Sequence, residues 1–153
     1  MFIQAKANGT IYPCRFVSAY PASGNSDCFK VIEDVVVAQA ILGVSQEGTL
    51  GFPMNSTNDM GVTAPTAAAL DDTYREQDLK VYGPGEVCLI ELGGTVNAGS
   101  MIKSNGTTDG KGITMTIGST TTPQFYGGIA LQYGVAGEKI RMLVHPGVYV
   151  YHA

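Results

Sequence analysis

Tryptophan is absent from this 153-residue chain, histidine occurs only twice, and charged side chains make up 14%, well below the roughly 25% of a typical soluble domain. The nine Lys and Arg residues are scattered and the formal net charge is −4, so no positive stripe exists to neutralise a run of phosphates. Direct nucleic-acid binding is therefore disfavoured. No apolar run approaches the ~18 residues of a spanning helix, and Met1-Phe-Ile-Gln-Ala-Lys6 lacks the basic and apolar regions of a secretory signal. Neither a membrane nor secretion is expected, and the sequons at Asn8, Asn55 and Asn105 read as by-products of an Asn/Gly/Thr-rich chain. Cys14, Cys28 and Cys88 are odd in number, widely spaced and without a CxxC pair or a nearby histidine, which argues against a disulfide framework or a zinc site. Reduced, buried thiols are expected, with a Cys14–Cys28 bridge as the alternative.

Catalytic patterns are missing as well. No Gly-x-Ser-x-Gly elbow accompanies His145 or His152, and Cys88 sits inside an apolar strand where a thiol is inert packing. The acid pairs Glu33-Asp34 and Asp71-Asp72, and Glu76 with Asp78, are close in sequence and read as solvated charge, not as two acids facing across a cleft. The glycines of Gly83-Pro-Gly85 and Gly106–Gly112 lack the Gly-Lys-Ser/Thr ending of a phosphate cradle. No enzyme activity, cofactor or metal is expected.

What the chain has is 20 glycines, 8 tyrosines and many short β-branched runs. Residues 10–17 have strand composition, although Pro13 demotes them to an edge or a bulge. Cys28–Val44 reads as two strands with a tight turn near Glu33; a helix over 33–42 competes, against the χ1 crowding of its valines. Residues 49–78 form a long, turn-rich loop or insertion, within which 67–76 has the composition of a short helix capped by Thr66. Leu79–Tyr82 and Glu86–Leu92 read as a hairpin about Gly83-Pro-Gly85 whose second strand is buried on both faces. Strands at 100–103, 128–132 and 139–144 follow, with a hairpin-like Asn105-Gly106. The fold class is mainly β, a compact antiparallel barrel or sandwich in a single domain spanning 1–153.

An internal echo points to two quasi-repeated β units. Thr10-Ile-x-Pro-x-x-Phe-Val17 is answered by Thr95-Val-x-Ala-x-x-Met-Ile102, and Ala40–Gln46 by Gly128–Gln132, with Ile41 matched to Ile129.

Pro13-Cys-Arg-Phe-Val17, Ile41-Leu-Gly-Val-Ser-Gln-Glu-Gly48, Gly83-Pro-Gly-Glu-Val87, Leu92–Ser100 and Val135–Val144 stand in this order. In that order they resemble the accessory decoration, or cement, proteins of tailed bacteriophage heads. The resemblance covers most of the chain apart from 49–78. It implies a protein on the outer surface of the capsid, in the virion after synthesis in the host cytoplasm. Its partners would be the major capsid protein and its own copies in a homotrimer, and its role would be to bridge neighbouring capsid subunits and stabilise the head.

Candidate interface residues are the apolar Met1, Phe2 and Ile3, together with Tyr149 and Tyr151, which alternate with valines in Val148-Tyr-Val-Tyr151. The rival reading is a carbohydrate- or receptor-binding β module, as at a fibre, using Tyr126, Tyr133 or the 49–66 loop.

Overall fold

A computed structural model describes residues 2–8, 11–20, 30–33, 39–47, 78–106, 110–118 and 122–150. The expected helix at 67–76, most of the 49–78 insertion, Cys28 and His152 lie outside them. The described residues are all β, in ten strands and with no helix among them. They are β1 (Phe2–Ala7), β2 (Arg15–Ala19), β3 (Lys30–Glu33), β4 (Ile41–Ser45) and β5 (Asp78–Tyr82), then β6 (Val87–Glu91), β7 (Met101–Ser104), β8 (Gly112–Thr114), β9 (Gln124–Ala130) and β10 (Lys139–Tyr149).

The first five strands close into a barrel in the order β1-β3-β2-β4-β5, and the last five form a sheet in the order β6-β10-β9-β7-β8. These are the same arrangement. Replacing each strand of the first set by the one five places later converts one order into the other. The parallel β1–β3 contact that closes the barrel at Ala7↔Val31 becomes the isolated parallel bridge Leu92↔Gly112 in the second set.

The registers agree pair by pair. Phe2↔Tyr82, Val44↔Tyr82 and Phe16↔Val44 become Val87↔Leu143, Leu143↔Ile129 and Met101↔Ile129. Likewise Ser18↔Ile32 and Ala19↔Val31 become Lys103↔Ile113 and Ser104↔Gly112. Phe2 and Val87, Val17 and Ile102, and Gly43 and Gly128 each stand 85 positions apart, the interval from Thr10 to Thr95. The echo is therefore a repeated unit, with one adjustment: Val44, not Ile41, is the counterpart of Ile129. The largest length difference is the β4–β5 connection, residues 46–77, against 131–138 between β9 and β10.

The two units share chemistry where the fold demands it. A Cβ on Gly43 would lie 2.2 Å from the Tyr82 carbonyl oxygen, and one on Gly128 would lie 2.3 Å from that of Leu143, so the same ladder position excludes a side chain in both units. Strands β6, β7 and β10 are each entered through a Pro-Gly or Ala-Gly turn with its glycine at positive φ, Gly85, Gly99 and Gly137. The turn closes by an amide three residues on, as in Ser100 N to Asn97 O at 3.1 Å. In the turn before β2 the residue is Cys14, at φ 58°.

Several expectations are corrected here. Residues 79–82 and 86–92 do not form a hairpin, because β5 pairs with β1 and β4 while β6 pairs with β10 in the other sheet. Strand β6 is also buried on one face only, with Cys88 and Ile90 inward and Val87 and Leu89 exposed. Glu33 ends β3, but β3 and β4 flank β2 and do not pair with each other, and Pro13 lies in the turn before β2. The helix alternative over 33–42 fails at both ends, since Glu33 and Ile41 are strand residues. Asn105-Gly106 does lie between antiparallel partners, β7 and β8.

Ala5, Ala7, Ile11, Val17, Val31, Leu79 and Val81 fill the first barrel. The second core holds Cys88, Ile90, Ile102, Ile140, Met142 and Val144, and it also takes in Phe16, Ile41 and Val44 from the first unit. Phe16 is 0% exposed because its ring occupies the space a Cβ on Gly127 would need, at 2.2 Å.

Candidate interaction surface

The joint between the units is built on the open side of β6. Glu91 N donates to Cys14 O at 3.0 Å, and Phe16 N donates to Gly110 O at 2.9 Å, so Cys14–Phe16 lies in the seam between β6 and the approach to β8. Further along β6 the Gln46 side chain acts as a substitute strand. Its Nε2 donates to Leu89 O at 2.6 Å and its Oε1 accepts from Leu89 N at 2.9 Å. An edge that would otherwise invite another chain is thereby occupied.

Arg15, itself buried, reaches Glu91 across the seam at 2.7 Å, and Lys111 Nζ stands 3.5 Å from the other carboxylate oxygen. The Arg15 hydrogen bond holds the Glu91 carboxyl below its ordinary pKa; burial opposes this, and the charges of Arg15 and Lys111 reinforce it. The thiol of Cys88 is pushed up to about 12, mainly by burial, with Cys14 and Glu86 adding to the effect. It is therefore protonated at neutral pH, as inert packing would have it. Among the described residues no group of His, Cys, Asp and Glu is placed to hold a metal.

Among the described residues, the outward face of the second sheet gathers apolar side chains from four neighbouring strands. Val87, Leu143, Ile129 and Met101 stand side by side across β6, β10, β9 and β7. Beside that row Leu89 faces Arg141, whose carbonyl accepts from Leu131 N at 2.9 Å. Val87, Leu89 and Leu131 are 52%, 40% and 48% exposed, and Lys139 and Arg141 on the same face are exposed too. Single exposed apolar residues are ordinary, whereas a contiguous set on one sheet face marks a contact surface. Sequence reasoning missed this face although its signal was present. The apolar outward residues Val87 and Leu89 are what made β6 read as buried on both sides.

Of the expected interface residues, Phe2, Ile3 and Tyr149 are described, and Phe2 and Ile3 point to opposite faces of β1. Phe2 lies on the outward face of β1, its ring edge-on to Tyr82 at 4.7 Å with Lys80 Nζ 3.6 Å from its centroid. It borders an open groove of about 410 Å³ together with Gln4, Glu47, Asp78 and Lys80. Ile3 turns inward onto the barrel core. Tyr149 is half-buried opposite Gln124 near the end of β10, where Val148 and Val150 are the exposed residues. Met1 and Tyr151 lie outside the described residues. Of the rival reading's tyrosines, Tyr133 is exposed in the β9–β10 connection and Tyr126 stands 6.2 Å from the His145 ring; no ring contact joins them.

No family model matches the sequence, and no curated protein matches it. A solved structure does. The chain is similar to the N-terminal base of the head fibre protein gp8.5 of bacteriophage phi29, with a TM-score of 0.54 and 11% identity, over 95% of this chain and 93% of that one. At that identity the likeness establishes a common fold.

Proposed function

We propose that the chain is a structural protein of a bacteriophage virion, bound to the outer surface of the capsid, where it bridges major capsid subunits and stabilises the head as a homotrimer. The observation that carries this reading is the end-to-end correspondence with a head fibre base. It joins an order of motifs that resembles that of head decoration proteins and a surface that offers apolar contact. A repeated shell suits such a surface, because modest contacts multiply when several copies engage at once.

The test is cosedimentation of the purified protein with heads that lack it. Retention of the wild type in the pellet at micromolar concentration is the expected result, and protein left in the supernatant beside undecorated heads refutes the proposal. A fibre-like receptor binder is the other reading that the head-fibre fold favours, and saturable glycan binding by the monomer would select it.

A further inference from the structure

We infer that the outward face of the second sheet is the docking surface for a protein partner that presents apolar surface bordered by carboxylates. If the capsid assignment holds, on which this inference rests, that partner is a shell subunit.

The internal repeat supplies the first argument. Phe16 and Val44 occupy the ladder positions of Met101 and Ile129. In the first unit these two side chains are fully buried, because they dock against the second unit. The same row in the second unit, extended by the exposed Val87, Leu89 and Leu131, has no described element seated on it. One copy of the unit thus already uses this position as an interface with another folded body, and its repeat leaves the position open.

Charge supplies the second argument. Lys139 and Arg141 project from that face, and neither forms an ion pair among the described residues; the carboxylate opposite Lys139, Glu91, is engaged by Arg15 and Lys111. The chain as a whole carries −4, so an acidic partner is repelled in general and attracted here. Two cations among leucines and valines are too few for a phosphate backbone, which requires several contacts. They suit the centre and rim of a protein interface.

The test compares wild type with Leu89→Asp and with Lys139→Glu/Arg141→Glu in the full chain. Each is measured by cosedimentation with undecorated heads at low and high salt, by sedimentation velocity of the free protein, and by flotation with anionic phosphatidylserine vesicles. Thermal melting verifies that the variants fold. Both variants are expected to lower head affinity about tenfold or more, and the wild-type affinity is expected to fall with salt. Variants that fold and sediment as the wild type does overturn the inference and leave the capsid assignment standing. Failure of the wild type to sediment overturns both. A changed oligomeric state with unchanged head binding assigns the face to self-association, and flotation of the wild type assigns it to lipid; either result overturns the inference.

Discussion

Phe16 is the largest of the buried side chains through which one unit enters the core of the other, and its replacement tests the strength of that joint. Truncation to alanine removes a fully buried ring and leaves a cavity beside Gly127, so Phe16→Ala is expected to cost about 3–5 kcal/mol in urea unfolding. Glu91 works at the surface of the same joint. Its pKa is depressed in the folded state, so its contribution is present above the unfolded carboxylate value and is lost as pH falls through the lower, folded one. The stability difference between wild type and Glu91→Gln is therefore expected to be full at pH 7 and to vanish in strong acid. A difference that persists unchanged at low pH would show that the carboxylate charge is not what Arg15 requires. Cys14 occupies the positive-φ turn position that glycine fills in the three cognate turns. Relief of that backbone cost outweighs one lost methyl group, and Cys14→Gly is expected to melt higher than Cys14→Ala, by about 1 kcal/mol in stability.

At the scale of elements, β6 shows how the joint was assembled from parts that do not look like joints in the sequence. Gln46 sits just beyond β4, yet its amide satisfies both backbone groups of Leu89. In Gln46→Ala those groups turn to water, which keeps the cost to about 1 kcal/mol. The sharper readout is hydrogen exchange at the Leu89 amide, which is expected to accelerate while that of Ile140 in the β10 core does not. The turn at Gly83-Pro-Gly85 was legible in the sequence because its chemistry is local, and it precedes a strand, as the structure shows Ala98-Gly99 and Ala136-Gly137 also do. Pairing was not. A Pro-Gly turn between two apolar runs specifies a reversal of the chain but not whether the next strand rejoins the same sheet, and at Gly83–Glu86 the chain crosses to the other sheet. The burial of β6 was misread for a related reason. Apolar residues on both of its faces suit a doubly buried strand and equally a strand with one face in the core and one open for contact, and only the position of β10 and β9 beside it decides between them.

For the molecule as a whole, repetition explains both what was legible and what was concealed. The Thr10/Thr95 interval survives in the sequence because positions such as Gly43 and Gly128 face a neighbouring carbonyl and admit no other residue. The outward row carries no such constraint from its own barrel, so the two copies were free to diverge there: Phe16 and Val44 against Met101 and Ile129. That divergence follows the asymmetry of a tandem pair, in which the first unit's row is an internal interface and the second unit's row is external. Asymmetry also governs how the chain should unfold. The first barrel has its own small core of alanines and valines, while Phe16, Ile41 and Val44 belong to the core of the second unit, so neither unit can lose its structure without exposing apolar surface of the other. Calorimetry of the wild type is expected to show one endotherm whose calorimetric and van't Hoff enthalpies agree. Phe16→Ala weakens only the shared part, and in that variant the transition is expected to broaden or split, with probes in the first barrel and in β9–β10 no longer coincident. Two resolved transitions in the wild type would mean that the units are stable separately and that Phe16 joins them without coupling them.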